Sequence, residues 1–232
     1  MWSGPRTIST ALMRSFASRA DTVVADEPLY AFYLARTGLG HPGRDEILRS
    51  QPTSWSVVID RLTTGPLPPG TDVFYQKHMT HHLLPEVDAG ALAGLRHAFL
   101  IRHPRPLLAS YARVRAAPTL ADLGLERQVE IFRRFGGPVI DSADILRDPA
   151  GALAALCAAL RIGFDPAMLS WPAGPHPADG VWARYWYASV WASTGFGRRT
   201  EPGRAELPAA LEPLAAAGQP YYDELAAHRL RP

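Results

Sequence analysis

Short apolar runs and longer stretches of helical spacing alternate along this chain. Runs of apolar and β-branched residues that stop at polar residues or breakers predict strands at 22–25, 73–76, 98–101 and 138–140. Between them, apolar residues recur every three or four positions and predict helices at 29–37, 44–50, 54–64, 106–115, 120–135 and 149–160. Short strands separated by helices indicate an α/β fold, in which helices cover both faces of a mainly parallel sheet.

The last third of the chain follows a different pattern. Residues 181–191 hold three tryptophans and two tyrosines, and they predict an aromatic helix that packs in the core or at an interface. Residues 207–217 and 220–230 then predict two closing helices. We therefore expect a helical C-terminal part.

The chain begins with a polar loop that leads into a helix. Residues 3–10 read Ser-Gly-Pro-Arg-Thr-Ile-Ser-Thr, and apolar residues at helical spacing follow from Ala11 to Phe16. The first N–H groups of a helix point out of its end and attract anions, and Arg6 adds a forked cation there. The loop does not match a Walker A sequence, and we expect it to bind phosphate or sulfate. The alternative is ordinary helix capping beside a solvated arginine.

Composition narrows the class of protein. The chain has 232 residues, of which 47% are hydrophobic and 20% are charged, as is typical of one globular domain with a sizeable core. A formal net charge of +2 gives no argument for a nucleic acid or a membrane surface as partner, and we predict neither. A single cysteine, Cys157, and the lack of a secretory or membrane-spanning run predict a cytoplasmic protein.

Polar residues follow three of the predicted strands. Arg6 comes soon after the first apolar residues, Lys77 and His78 follow the run at 73–76, and Arg102 follows the run at 98–101. Ligands of open α/β sheets bind beyond the carboxyl ends of the strands. We therefore expect these side chains to converge on one crevice.

Two segments, residues 5–11 and residues 102–110, resemble the cytosolic sulfotransferase superfamily. Its members move a sulfuryl group from 3′-phosphoadenosine 5′-phosphosulfate to a hydroxyl or amine. The first phosphosulfate loop of that family reads Pro-Lys-Ser-Gly-Thr-Thr-Trp, and residues 5–11 stand in the same places. Its second signature is an arginine at a strand end with a serine eight residues later, which Arg102 and Ser110 match. The order of the short motifs Ser-Gly-Pro-Arg, Asp-Glu-Pro, Lys-His, Ile-Arg-His-Pro-Arg and Leu-Arg-Asp-Pro along the chain is similar to that of a short bacterial branch of the superfamily.

The resemblance covers roughly residues 1–170 and implies a P-loop-like, three-layer fold, with a central mainly parallel sheet flanked by helices. It predicts a single sulfotransferase-like domain, 1–232, composed of a nucleotide-binding core at 1–170 and a helical part at 171–232.

The resemblance also implies how the nucleotide co-substrate is bound. Arg6 would replace the family's lysine on the 5′-phosphosulfate and stabilise the charge that builds as the S–O bond breaks. Arg102 and Ser110 would bind the 3′-phosphate. The implied nucleotide-binding residues are Pro5, Arg6, Thr7, Ile8, Ser9, Thr10, Arg102, Ser110 and, as a loose match to the family's C-terminal loop, Arg198 and Arg199. No metal is expected, because arginines can supply the positive charge.

For catalysis, the family uses a histidine that ends a strand in a Lys-Thr-His pattern as general base. Gln76-Lys77-His78 falls at that place, so the resemblance implies His78 as the base, in a catalytic set with Lys77 and Arg6. Two alternatives stay open for the histidines at 78, 81 and 82: they fit one helical face as a metal site, or they are surface and capping residues.

The acidic pair Asp26-Glu27 also follows a predicted strand. A structural ion pair between one of these carboxylates and Arg102 is the alternative to a phosphate-binding role for that arginine. The pair could instead orient the acceptor, by its position alone.

Together these observations predict a sulfotransferase that acts on a hydroxyl or amine of a small molecule, with the nucleotide and this acceptor as partners. Ala11 stands where the family has a tryptophan that stacks on adenine, which motivates a second hypothesis, the same fold used for phosphoryl transfer, elimination or cyclisation. A non-catalytic anion-binding or assembly protein is the third. The oligomeric state, including a homo-oligomer, stays open.

Overall fold

A parallel sheet forms the centre of the computed structural model, which describes residues 1–115, 117–197 and 206–231. Within these ranges the sheet has five strands: β1 (Trp2–Ser3), β2 (Thr22–Asp26), β3 (Val73–Met79), β4 (Phe99–Ile101) and β5 (Val139–Asp141). Their order is β2-β3-β1-β4-β5, and every neighbouring pair is parallel. The short β1 therefore lies between β3 and β4, at the middle of the sheet.

Helices connect the strands. Those before β4 are α1 (Ser9–Ala17), α2 (Tyr30–Thr37), α3 (Arg44–Ser50) and α4 (Trp55–Thr63). Those after β4 are α5 (Pro104–Tyr111), α6 (Leu120–Leu123), α7 (Leu125–Phe135), α8 (Ser142–Arg147), α9 (Pro149–Ala159), α10 (Ala183–Trp186), α11 (Ala188–Trp191) and α12 (Glu212–Ala226). Single 3₁₀ turns lie at Thr80–His82, Ala89–Leu92, Pro166–Leu169 and Ala209–Leu211.

The two faces of the sheet bury separate apolar cores, because successive side chains of a strand point to opposite faces. On one face, Trp2 and Phe99 pack with residues of α4, α7 and α12. On the other, Leu100 and Ile140 pack with residues of α1 and α9. Helices thus cover both faces, which confirms the three-layer α/β fold predicted from the alternation of apolar runs and helical spacing.

Several helix predictions were wrong in detail. The stretch 120–135 is two helices, because Gly124 adopts a left-handed φ of 65° between them. The aromatic stretch 181–191 is likewise divided into α10 and α11. Conversely, the two closing helices predicted on either side of residue 219 are one helix, α12, which continues through Pro220. The short helix α8 was not predicted.

The C-terminal aromatic residues pack inward onto α2 and α3. Trp182 is 1% exposed and belongs to a third buried cluster with Tyr30 and Leu34. Trp186 and Trp191 are partly buried against the same cluster. The division into a core at 1–170 and a helical part at 171–232 stays a prediction.

No helix in the described part of the chain is both long enough and apolar enough to cross a membrane.

Candidate active site

The connection between β1 and α1, here called the anion loop (residues 4–8), lies at the carboxyl edge of the sheet. Because the strands are parallel, the carboxyl ends of β2, β3 and β4 lie at the same edge. In order across the sheet they bring Asp26 and Glu27, then the 3₁₀ turn at 80–82, then the anion loop, and then Arg102 to one side of the molecule.

The anion loop has a tightly turned backbone. Arg6 and Ile8 both adopt left-handed φ angles, of 58° and 63°, and Ile8 is the residue that precedes α1. The Thr7 hydroxyl donates to the Gly4 carbonyl at 2.9 Å. Gly4 is required there, since a Cβ atom would lie 2.5 Å from the Leu123 carbonyl oxygen. The first N–H groups of α1 follow this turn, and such groups at a helix N-terminus can bind an anion.

Arg6, Ser110 and Arg102 contact one another beside this loop. Arg6 Nε donates to Ser110 Oγ at 3.0 Å, and Arg102 Nη1 donates to the Arg6 carbonyl oxygen at 2.5 Å. All three residues are partly exposed. The structure therefore brings together the arginine of the first predicted motif with both residues of the second, although 96 residues separate Arg6 from Arg102.

A buried cluster of charged groups lies at the carboxyl ends of β2 and β3. The Lys77 ammonium contacts Asp26 Oδ1 at 2.8 Å and Glu27 Oε1 at 2.6 Å. It also donates to the Tyr187 hydroxyl at 2.7 Å. We call Asp26, Glu27, Lys77 and Tyr187 the carboxylate cluster. The carboxylates thus pair with Lys77, and the ion pair to Arg102 that the sequence left open is not formed with them.

Burial and the mutual contacts of the carboxylate cluster shift its proton affinities. Burial raises the pKa of Glu27, against the lowering effect of Lys77. Burial alone would lower the pKa of Lys77, but the two carboxylates raise it above the ordinary lysine value. Burial also raises the pKa of Tyr187 well above that of free tyrosine. Lys77 and Tyr187 therefore remain protonated, and Glu27 is the member of the cluster whose pKa burial moves upward, toward that of a general base.

His78, the predicted general base, lies on the opposite side of β3 from Lys77. Its ring stacks on Trp2 with centroids 4.5 Å apart, and its Nε2 lies 3.2 Å from Gln76 Oε1. The residue is 4% exposed, and burial lowers the pKa of His78 well below the ordinary histidine value. These contacts join His78 to side chains of β1 and β3 rather than to the anion loop.

Two other histidines lie at the carboxyl edge, in the 3₁₀ turn that follows β3. His82 stacks on Tyr30 and Tyr33, and His81 contacts both Tyr33 and His82 edge-on. Burial lowers the pKa of His81 to about 4 and that of His82 well below 6.5, so both rings are neutral. His82 Nδ1 is buried without a hydrogen-bond partner and lies 4.0 Å from Glu27 Oε2.

The metal alternative receives no support, since no group of three histidine, cysteine or carboxylate side chains in the described ranges could hold an ion. His78 faces a different side of the sheet from the other two histidines. The predicted nucleotide-binding residues Arg198 and Arg199 lie outside the described residues.

Sequence reasoning did not single out Tyr187 or the proximity of Glu27 to His82. Tyr187 belongs to an aromatic stretch, which favours a packing role, and 110 residues separate it from Lys77. For Glu27 a usable signal existed, because an acidic residue directly after a buried strand lies at the edge where parallel sheets bind ligands.

The family model for a sulfotransferase domain matches residues 1–229. The chain belongs to this sulfotransferase-domain family. The match confirms the resemblance inferred from the two motifs, and it extends past residue 170, into the helical C-terminal part.

Two solved structures share the fold of this sulfotransferase domain. The sulfotransferase domain from the curacin biosynthetic pathway aligns with 100% of this chain and 97% of its own, with a TM-score of 0.56 and 14% identity. The sulfotransferase domain from the Synechococcus PCC 7002 olefin synthase aligns with 99% of this chain and 94% of its own, with a TM-score of 0.51 and 16% identity. At these identities the likeness concerns the fold.

Two curated proteins of Arabidopsis thaliana are more similar in sequence. Branched-chain-amino-acid aminotransferase-like protein 1 is 39% identical in an alignment of 233 residues that covers 98% of this chain and 41% of that protein. Branched-chain-amino-acid aminotransferase-like protein 2 is 38% identical over 201 residues, 84% of this chain and 35% of that protein. The sulfotransferase domain described here thus spans less than half the length of these relatives.

Proposed function

We propose that this domain transfers a sulfuryl group from 3′-phosphoadenosine 5′-phosphosulfate to a hydroxyl or amine of a small molecule. The observation that carries the proposal is the contact of Arg6 with Ser110 and Arg102 beside the N-terminus of α1. Two arginine forks, a hydroxyl and the free amides of a helix end form a donor set suited to a nucleotide with several negative charges.

On the donor side, the anion loop and Arg6 bind the 5′-phosphosulfate, and Arg102 with Ser110 binds the 3′-phosphate. As the acceptor oxygen or nitrogen forms its bond to sulfur, the bond from sulfur to the phosphate oxygen breaks, and that oxygen keeps the electron pair. Arg6 stabilises the charge that builds on it. The leaving group is adenosine 3′,5′-bisphosphate, and arginines supply the positive charge that this step needs.

On the acceptor side, we propose Glu27 as the general base, in place of His78. Glu27 lies at the carboxyl edge with one carboxylate oxygen contacting Lys77 and the other facing the unpartnered His82 Nδ1 at 4.0 Å. An acceptor hydroxyl or amine that comes within hydrogen-bond distance of Glu27 Oε2 can donate its proton to it. Burial raises the pKa of Glu27 and thereby makes it a stronger base than an exposed glutamate.

Calorimetry with adenosine 3′,5′-bisphosphate tests the donor site. We expect binding by the wild-type domain, and stabilisation of the fold by about 2.7 kcal/mol when the ligand is present at a hundred times its dissociation constant. Arg102→Ala should abolish binding, and Arg102→Lys, which keeps the charge but not the fork, should weaken it.

Arg133→Ala is the matched control, because Arg133 is exposed and pairs with Glu224 on the surface. Its affinity for the bisphosphate should equal that of the wild type. A folded wild-type domain that does not bind the bisphosphate, or an Arg102→Ala variant that binds it normally, contradicts the proposed function.

A second candidate is the same fold acting on a different substrate with a sulfate or phosphate leaving group. It rests on Ala11, whose small side chain provides no aromatic surface for an adenine at the start of α1. This candidate predicts that chromatography detects no sulfated product from any acceptor offered with the donor, whereas the first candidate predicts such a product.

A further inference from the structure

The Tyr187 hydroxyl lies at the centre of the carboxylate cluster, although the tyrosine comes from the C-terminal aromatic stretch. Its oxygen is 2.7 Å from Lys77 Nζ and 3.1 Å from Trp182 Nε1. An ammonium and an indole N–H can only donate, so both nitrogens use the acceptor positions of the hydroxyl. The single hydroxyl proton is therefore left for a carboxylate.

Asp26 receives the shorter contacts of this hydroxyl proton, and Glu27 receives a longer one. The Tyr187 oxygen is 2.7 Å and 2.9 Å from the two Asp26 oxygens but 3.3 Å from Glu27 Oε1. Asp26 also accepts from Lys77 at 2.8 Å and from the Gly180 N–H at 3.3 Å. Three donors thus converge on Asp26, whereas Glu27 accepts mainly from Lys77.

We infer that Tyr187 is a positioning residue for the transfer reaction: by binding Asp26 and Lys77, it leaves Glu27 as the carboxyl that exchanges a proton with the acceptor. This inference rests on the proposed function, in which Glu27 is the base. The C-terminal aromatic stretch would then both pack against α2 and, through Tyr187, position the groups that take part in proton transfer.

The direction of the effect follows from the groups that face Glu27. They come from every element packed against it, namely Asp26 of β2, Lys77 of β3, His82 of the 3₁₀ turn, Tyr30 of α2, and Tyr187. Burial and Asp26 raise the pKa of Glu27, while Lys77 and the Tyr187 hydroxyl lower it. Removing the hydroxyl removes a lowering contribution, so the pKa of Glu27 should rise.

Tyr187→Phe tests this, with Tyr185→Phe as control, because Tyr185 is 40% exposed in the same aromatic stretch. In Tyr187→Phe, the acid limb of the pH profile of kcat should move to higher pH, because one hydrogen bond to the carboxylate pair is lost. The KM for the nucleotide should not change, and Tyr185→Phe should keep the wild-type profile. An unshifted acid limb in Tyr187→Phe overturns the inference.

A titration that needs no activity separates this inference from the proposed function. In protein labelled with ¹³C at the glutamate carboxyls, the Glu27 signal, assigned with Glu27→Gln, should titrate at higher pH in Tyr187→Phe than in the wild type. If it does so in a domain that transfers no sulfuryl group, the proposed function fails and the effect of Tyr187 on Glu27 stands. If transfer occurs and neither titration nor pH profile moves, the inference fails alone.

Replacement of Tyr187 by 3,5-difluorotyrosine covers the case in which Tyr187→Phe does not fold. This residue keeps the ring and the hydroxyl, but its hydroxyl is the stronger donor. The Glu27 titration should then move to lower pH, and a shift to higher pH or no shift contradicts the inference.

Discussion

At the scale of single residues, the two candidates for the general base, His78 and Glu27, lie in different surroundings on the two sides of β3. His78 is packed on Trp2 and bonded to Gln76, while Glu27 contacts Lys77 and faces His82. A general base has to reach the proton that it removes. The carboxyl edge, where Glu27 lies, also carries the anion loop.

Glu27→Gln should therefore lower kcat by about 10²- to 10⁴-fold, the usual contribution of a general base, because an amide cannot take the acceptor proton. The substitution keeps the shape of the side chain and an oxygen for Lys77. His78→Phe, which keeps a ring against Trp2, should leave kcat within about threefold of the wild type. Steady-state kinetics at saturating nucleotide measures both, and bisphosphate affinity serves as the check on folding. The reverse pattern would assign the proton transfer to His78.

Local sequence was sufficient to single out Arg6, Arg102 and Ser110, which the fold brings together, because each belongs to a motif that spans a single strand-to-helix turn; their binding roles stay a prediction. It was not sufficient for Tyr187. The chemistry of that hydroxyl depends on Lys77 and Asp26, which are 110 and 161 residues away, and only the folded chain brings them together. For His78, alternation along β3 turns its side chain to the opposite side of the strand from Lys77, and its role as general base stays a prediction.

At the scale of elements, strands β2 to β5 were predictable because their apolar runs stand out from the amphipathic helices around them, whereas the two-residue strand β1 was not predicted. The helix ends were less predictable. Gly124 divides one predicted helix by its left-handed conformation, which a glycine permits but does not require. At Pro220 the error was the reverse: a proline usually ends a helix, so two helices were predicted, but Pro220 lies inside the single helix α12.

Pro220→Ala should therefore stabilise the protein. Proline inside a helix removes one backbone hydrogen bond and disfavours the helix by about 3 kcal/mol relative to alanine, and Pro220 is exposed, so its replacement leaves no cavity. We expect the free energy of unfolding to rise by roughly 1–3 kcal/mol in urea denaturation. Pro213→Ala, in the first turn of the same helix where proline is tolerated, should change it by a few tenths at most. Equal effects at both positions would mean that α12 does not continue through Pro220.

At the scale of the whole molecule, the described part of the chain buries several neutral histidines around the sheet. His78 is buried beside β1, and beside α2 His82 is buried and His81 is partly buried. Each has a pKa below the ordinary value of 6.5 because burial disfavours its charged form. Two buried carboxyls, Glu27 and Asp141, have a raised pKa and act in the opposite sense.

These shifts predict that the fold loses stability as the pH falls below about 6.5, the pKa of a histidine in the unfolded chain. Above that pH the histidines are neutral in both states, and below it the unfolded chain binds protons that the folded chain does not bind until its lower pKa is reached. For His81, with a folded pKa of about 4, the loss accumulates to roughly 3 kcal/mol by pH 4, and the two carboxyls offset part of it. Urea denaturation between pH 7.5 and 4.5 measures the slope. His81→Phe should make the free energy of unfolding depend less steeply on pH, because the contribution of His81 is removed. His228→Ala is the control, since His228 is exposed, and it should leave the slope unchanged. A free energy of unfolding that stays level or rises as the pH falls would show that the carboxyls outweigh the histidines.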